Sequence, residues 1–475
     1  MGALSMPTRD YAYFDFTTSL CSFCLRRVDA KILFKDEKVI MRKRCPSHGS
    51  QDVLISTDIP YYLRCRNSLK PGETPLHFHT PTKYGCPYDC GLCPDHEQHS
   101  CLTVLEVTDR CNLRCPTCYS ASGPEVGRHL ELWEIEKRLD AVVASEGEPD
   151  IVQISGGEPT IHPQFFEILD AARRRPIRHL MLNTNGVRLA SEPDFVKRLA
   201  QYAPGFEVYL QFDALEADVL LNLRGADLTK VRLRALANLE KQGISTTLVV
   251  TLKRGLNNQY IGEIINFALQ YECIRGITFQ PIQVAGRIDG VDPALERYTL
   301  SEVRRDILNQ HTLFKEQDII PVPCNPDALA MGYALKLNGK FLPLSQFTDP
   351  SSLLDEAGNT IVFEGEPSVR DAFFQLYSTA MPASGTAGAL KKMLCCIPGI
   401  SAPTLSYKQV FRVVIMAFMD AWNFDVRAIK KSCVHMVSGD GKMIPFETMN
   451  LLYRDGKRER LEKLQQAFDP TNFPV

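Results

Sequence analysis

The stretch VTDRCNLRCPTCYS, residues 107 to 120, sets Cys111, Cys115 and Cys118 at three-then-two spacing, and GCPYDCGLC sets Cys86, Cys90 and Cys93 at the same spacing twenty-five residues earlier. Three thiolates on one loop can wrap an inorganic cluster and leave one iron of a four-iron four-sulfur cluster without a protein ligand. That open iron can chelate a small molecule. A structural zinc loop is the plainer alternative for either triplet. Eleven of the sixteen cysteines lie before residue 119. The N-terminus lacks the basic start and apolar run of a secretory signal, so a cytoplasmic, reducing setting is expected, in which such a density reads as metal ligation rather than disulfides.

A third group pairs Cys21 and Cys24 in CSFC with Cys45 and His48 in CPSHG. Two such knuckles fit a tetrahedral mononuclear site for zinc or iron, with Cys65 competing with His48 for the fourth position. Cys101 is a candidate fourth ligand for the Cys86 triplet, with His96 or His99 as less usual substitutes. Cys324, Cys395, Cys396 and Cys433 are candidates for a further cluster, and Cys273 reads as a core thiol.

These residues need a frame. From residue 102 short β-branched runs alternate with amphipathic helices: LTVLEVT and LWEIEKRLDAVVAS, IVQIS and PQFFEILDAARR, then HLMLN, FEVYLQF, STTLVVTL and GITFQPI with their helices. Repeated βαβ units imply right-handed crossovers and a parallel sheet with helices outside. An α/β fold follows: a partial (β/α)6 barrel over residues 102–290, a cysteine-rich N-terminal metal domain over 1–101, and a mixed C-terminal domain over 291–475 covering the barrel mouth. The apolar run near 408–422 is expected as a buried helix, and RDGKRERLEKLQQAF as a charged closing helix. The net charge of -2 supplies no footprint for nucleic acid, and no apolar run is long enough to span a membrane.

In such barrels chemistry sits at the C-terminal strand ends. The first triplet follows the first strand and SGGEP, Ser155 to Pro159, follows the second; its glycines let backbone approach a ligand without a Cβ in the way. Arg224 in LNLRGADL offers a bidentate fork to a ligand carboxylate, or is a solvated arginine beside a helix start.

Taken together, CxxxCxxC followed by GGEP resembles the radical S-adenosylmethionine superfamily. The order CxxC, CPSHG, GCPYDCGLCPDHEQHS, VTDRCNLRCPTCY and GGEP resembles the group containing archaeal tetraether lipid synthase, also described as 7,8-dihydro-6-hydroxymethylpterin methyltransferases. The resemblance implies a catalytic [4Fe-4S] cluster on Cys111, Cys115 and Cys118, and S-adenosylmethionine held by Ser155, Gly156, Gly157 and Glu158. It places Asn183 and Thr184 near the ribose and adds Gln211 and Asp213 after the fourth strand. It further implies one or two auxiliary [4Fe-4S] clusters, a mononuclear iron on the four thiolates of Cys21, Cys24, Cys45 and Cys65, with zinc physically as acceptable and His48 then a turn residue, and a flavodoxin or ferredoxin as electron source. The expected reaction activates an unactivated C–H bond and forms a carbon–carbon bond between alkyl chains of lipids, with peripheral membrane contact. Radical methylation of a pterin or other small heterocycle is the alternative, and a non-catalytic iron-sulfur electron carrier is a third. Phe411, Met416, Phe418, Met419 and Trp422 are candidates to line a lipid channel, or else pack in a core.

Overall fold

A computed structural model describes residues 9–67, 74–293, 295–337, 340–346, 409–454 and 456–468. The N-terminal residues form a four-stranded antiparallel meander: β1 Ala12–Leu20, β2 Arg27–Lys35, β3 Lys38–Cys45 and β4 Gly49–Ser56. These strands alternate buried and exposed residues, as in Val39, Met41 and Val53 against Lys38 and Arg44. The Asp58 side chain accepts from the Tyr61 N–H and starts helix α1, Ile59–Asn67.

Next come β5 Leu102–Glu106, β6 Thr117–Cys118, β7 Ile151–Ser155, β8 His179–Thr184, β9 Phe206–Gln211, β10 Thr246–Leu252 and β11 Ile274–Pro281. Strands β5 and β7 to β11 pair in parallel in chain order, as the alternation predicts. Helices α2 Leu132–Glu146 and α3 Phe165–Arg173 pack outside, followed by α4 Val187–Ser191, α5 Pro193–Leu199, α6 Ala217–Arg224, α7 Thr229–Gln242 and α8 Ile261–Ala268. Leu105, Ile154 and Leu182 point to this helical layer, while Val104, Ile151 and Met181 fill the barrel interior.

The C-terminal third differs from expectation. After β12 Arg287–Ile288 and α9 Leu300–Gln310 come β13 Ile320–Pro321, β14 Leu329–Leu337, β15 Lys340–Pro343, β16 Val410–Met416, β17 Val434–Val437 and β18 Met443–Pro445. Strand β16 joins β11 in parallel and β17 joins β5 in parallel, so this region extends both edges of the barrel sheet rather than only covering its mouth. The run expected as a helix, VFRVVIM, is therefore a strand. A continuous apolar run has no period to separate a buried helix from a strand covered on both faces, and six of its seven residues are buried. The charged closing helix is present at Arg458–Ala467. No helix among the described residues is long and apolar enough to cross a membrane.

Candidate functional site

The first cysteine triplet sits in the loop leaving the C-terminal end of β5. Cys118 lies on β6, which pairs with β12. From β12, Arg287 donates to the carbonyls of Cys115 at 2.6 Å, Ala121 at 3.3 Å and Ser122 at 2.8 Å, clamping the loop from both sides of the last cysteine. The Leu113 N–H reaches the Cys111 sulfur at 3.4 Å and the Asn185 amide stands 3.8 Å from it. Burial pushes the Cys111 thiol up to about 12 and raises that of Cys115, so a bound cation is what would hold these groups as thiolates. All three cysteines line one cavity, and the donor set fits a cluster with an open iron facing it.

SGGEP follows β7 and packs against the same loop. The Gly157 N–H donates to the Thr108 carbonyl at 2.8 Å and the Glu158 N–H to that of Arg110 at 2.9 Å. A Cβ on Gly156 would stand 2.3 Å from the Thr108 oxygen, and one on Gly157 2.2 Å from the Arg110 oxygen. The space a Cβ would take at these glycines is thus filled by protein backbone leading into Cys111, while Gly156, Gly157 and Glu158 line the same cavity as the cysteine triplet. Glu158 is buried, its carboxylate accepting from Thr160 N at 3.1 Å, Thr160 Oγ1 at 2.5 Å, Thr184 Oγ1 at 2.7 Å and Asn185 N at 2.7 Å. Burial raises this carboxyl above its ordinary value while the four donors pull against that shift.

Successive strand ends carry a belt of hydrogen bonds. Asn183 donates to Ser155 at 3.1 Å, Gln211 to Asn183 at 3.0 Å, and Arg224 to Gln211 at 3.1 Å and Thr251 at 2.9 Å. Both prongs of Arg224 also engage Asp213, at 2.7 and 2.6 Å. The fork expected to hold a ligand carboxylate is therefore taken by a protein carboxylate. Burial opposes ionisation of Asp213, but Arg224 and Arg232 beside it hold its carboxyl below the usual range. Asp213 has a φ of 67°, so the turn after β9 places it under the belt at a cost in backbone strain.

The cavity reaches from this belt into the barrel, to Leu102, Val104 and Val434. Tyr119, Phe418 and Phe446 form an aromatic wall, with ring centroids 5.0 Å apart for Tyr119 and Phe446 and 4.2 Å apart for Phe418 and Phe446. Gln153, Gln280 and Gln283 also line it. Of the five lipid-channel candidates only Met416 and Phe418 face this space; Phe411 lies in the outer core, Met419 packs with Leu20 and Phe424, and Trp422 lies against the N-terminal sheet. Arg287, Phe446 and the glutamines escaped the sequence reading. FQPIQVAGR, which ends β11 and runs into β12, was the available signal for Arg287, Gln280 and Gln283, but it is too generic to assign alone.

The remaining cysteines sort by distance. Cys21, Cys24, Cys45 and His48 bring their donor atoms within 4.8 Å of one another, with Cys24 to Cys45 at 3.7 Å and His48 Nδ1 at 3.5 Å from both Cys21 and Cys45. Thiolates held at about 2.3 Å by one tetrahedral ion stand about 3.8 Å apart, so this set fits a single metal. His48 completes it; Cys65 is instead buried on α1 beside Tyr61. Cys86, Cys90 and Cys93 occupy a loop whose Cys90 sulfur accepts from Thr448 Oγ1 at 3.0 Å. Cys101 leaves that triplet and lies with Cys324 and Cys433, all three within 4.8 Å. His96 is turned away, its Nε2 bonded to the Ser432 carbonyl at 2.8 Å. Cys273 is a buried thiol after α8, and Cys395 and Cys396 fall outside the described residues.

Comparison with known proteins agrees with this geometry. Residues 105–268 match the radical SAM superfamily, and residues 13–57 match the HMPTM N-terminal zinc ribbon domain. The chain is 30% identical to the 7,8-dihydro-6-hydroxymethylpterin dimethyltransferase of Methanocaldococcus jannaschii, covering 94% of this chain and 95% of the relative. It is 29% identical to the GTP 3',8-cyclase of Chlorobaculum tepidum over 41% of this chain and 59% of that enzyme. Among solved structures, Streptococcus suis SuiB bound to S-adenosylmethionine shares 18% identity over 44% of this chain and 47% of that one, with a TM-score of 0.37. With its CxxxCxxC triplet, GGEP loop and N-terminal ribbon, the chain belongs to the radical SAM superfamily, in the family of the Methanocaldococcus jannaschii 7,8-dihydro-6-hydroxymethylpterin dimethyltransferase.

Proposed function

We propose that this radical SAM enzyme alkylates a carbon of a pterin-like heterocycle. The observation that carries the reading is a pair of weakly bonded amides, Gln153 and Gln280, on the same cavity as the aromatic wall. Among the described residues the Gln153 amide donates only to the Met181 sulfur, at 3.0 Å, a weak acceptor, and the Gln280 amide to Tyr209 at 3.2 Å and the Met416 sulfur at 3.7 Å. A planar heterocycle with ring nitrogens and a carbonyl can pair with these groups while stacking on Phe446, Phe418 or Tyr119. An alkyl chain would offer these amides no partner beyond the weak ones they already have. The near full-length relative is named for a pterin, which supports the same choice.

Cys111, Cys115 and Cys118 would hold the catalytic [4Fe-4S] cluster, and Cys86, Cys90 and Cys93 an auxiliary one; zinc is the ion proposed for Cys21, Cys24, Cys45 and His48. When bound, the catalytic cluster and S-adenosylmethionine supply the one-electron chemistry that generates a hydrogen-abstracting carbon radical. The chain's part is positional. Glu158 ties the β7 and β8 loops together, the belt from Ser155 to Thr251 shapes the ligand floor, and the aromatic wall excludes water. A flavodoxin or ferredoxin is the proposed electron donor.

Lipid alkyl coupling is the second reading, favoured by the apolar patch of Met416, Phe418, Phe446 and Val434 on the same cavity. Anaerobic turnover with a 7,8-dihydropterin, S-adenosylmethionine and a folate-type methyl donor, each methyl source labelled in turn, distinguishes the two. Labelled methyl on the pterin carbon supports the proposal. Deuterium transferred from a labelled alkyl chain into 5'-deoxyadenosine, with the pterin unchanged, overturns it in favour of the lipid.

A further inference from the structure

The segment from Phe446 to Arg454 follows β18 and touches both cysteine loops. At its start Phe446 stands on the cavity with its ring against Tyr119, the residue after Cys118. At its end Arg454 pairs with Glu106 at 2.8 and 3.1 Å and lies 5.4 Å over the Tyr119 ring. Between these two contacts the segment reaches the other triplet. The Thr448 hydroxyl is 3.0 Å from the Cys90 sulfur, and the Tyr453 hydroxyl accepts from the Cys90 N–H at 2.7 Å while donating to the Pro87 carbonyl at 3.0 Å. The turn that carries Tyr453, Met449–Tyr453, is π-helical, a geometry concentrated at functional sites.

The loop held in this way suits bound sulfur. Cys90 and Cys93 are buried, and backbone N–H groups face both, Gly91 toward the Cys90 sulfur and Asp95 and His96 toward that of Cys93. Burial raises both thiols, so a bound cation is what would keep them as thiolates. Thr448 adds a side-chain donor from 358 residues along the chain. Its oxygen also lies 3.1 Å from the Pro445 carbonyl. A Cys90 thiol can donate to Thr448 and leave the hydroxyl proton to that carbonyl. A cluster-bound thiolate has no proton to give, and its charge makes it the stronger acceptor, so the hydroxyl turns to sulfur. Thr448 is fully buried, and no water competes for it.

We propose that Thr448 is a positioning residue for an auxiliary [4Fe-4S] cluster on Cys86, Cys90 and Cys93, its hydroxyl donating to the Cys90 sulfur and raising the cluster's reduction potential. This role presupposes that the triplet holds such a cluster. An added electron makes the cluster and its thiolates more negative, and a donor 3.0 Å from one sulfur stabilises the reduced state more than the oxidised one. Cys90 and Phe446 share one apolar core, so the cluster would lie behind the wall of the substrate cavity. Its potential there sets the direction in which an electron crosses between loop and cavity.

The test is a potentiometric titration of the reconstituted full-length protein followed by electron paramagnetic resonance, the auxiliary signal being the one that Cys90→Ala removes. Thr448→Val keeps the side-chain shape without the hydroxyl. At the wild-type midpoint its reduced-to-oxidised ratio should fall about tenfold, equivalent to about 59 mV for one electron, with iron and sulfide unchanged. Thr448→Ser should stay at the wild-type midpoint. Pulsed double-resonance spectra in H2O and D2O should show an exchangeable proton coupling in wild type and Thr448→Ser that Thr448→Val lacks. An unshifted midpoint in Thr448→Val, with its cluster intact, overturns the role of Thr448 and leaves the cluster standing. Iron, sulfide and spectra unchanged in Cys90→Ala overturn the cluster itself. Loss of the cluster from both Thr448→Val and Thr448→Ala makes the residue structural and overturns the tuning.

Discussion

Replacing Glu158 with glutamine changes one atom and so isolates what the GGEP carboxylate does. Both of its oxygens accept a backbone N–H, Oε1 from Thr160 at 3.1 Å and Oε2 from Asn185 at 2.7 Å. The Thr160 and Thr184 hydroxyls can rotate to accept from an amide; the two backbone donors cannot. Whichever way the introduced amide turns, its NH2 faces one of them and leaves a buried donor unpaired, at about 1–3 kcal/mol. That corresponds to about a 5- to 150-fold smaller population of the ordered β8 loop. This loop carries Thr184 on the cavity wall and Asn185 near the Cys111 sulfur. Equilibrium binding of S-adenosylmethionine to the reconstituted variant should weaken by about that factor, while 5'-deoxyadenosine formation at saturation falls less. A dissociation constant and a rate both within twofold of wild type would refute the reasoning. A loss confined to the rate would place Glu158 at the reacting atoms instead.

Arg287→Ala removes three carbonyl contacts from the cluster loop and should cost iron and sulfide amounting to one cluster, with far-UV circular dichroism unchanged. His48→Ala should lower the metal content of the ribbon, whereas Cys65→Ser should leave it intact; the reverse pattern would restore Cys65 as ligand. Burial raises the Glu447 carboxyl from 4.5 to about 7, with Ser432 Oγ its side-chain donor at 3.0 Å. The folded state therefore holds this proton more tightly than the unfolded one, and stability falls as pH rises from about 4.5 to 7, by about 3 kcal/mol. Glu447→Gln, neutral at every pH, should melt above wild type at pH 8, with most of that gap closed at pH 5; equal melting temperatures at pH 8 would contradict the shift.

What a single stretch of sequence determines is local. Three-then-two cysteine spacing fixes that three thiols share a loop, two glycines before Glu158 allow backbone contact at 2.8 Å, and alternating strand and helix periods lead to a parallel barrel with both motifs at its C-terminal rim. The spacing also paired the two ribbon knuckles. Only tertiary structure decided which distant group completes each set. His48 rather than Cys65 closes the ribbon, because α1 carries Cys65 into the core beside Tyr61. Cys101 joins Cys324 and Cys433 rather than the neighbouring triplet, because β17 pairs with β5 and the β13–β14 turn meets them. Arg224 is spent on Asp213, since the turn after β9 brings that carboxylate under it. Spacing along the chain constrains neighbours within a few residues; contacts across hundreds of residues depend on which strands pair, which sequence period alone does not encode.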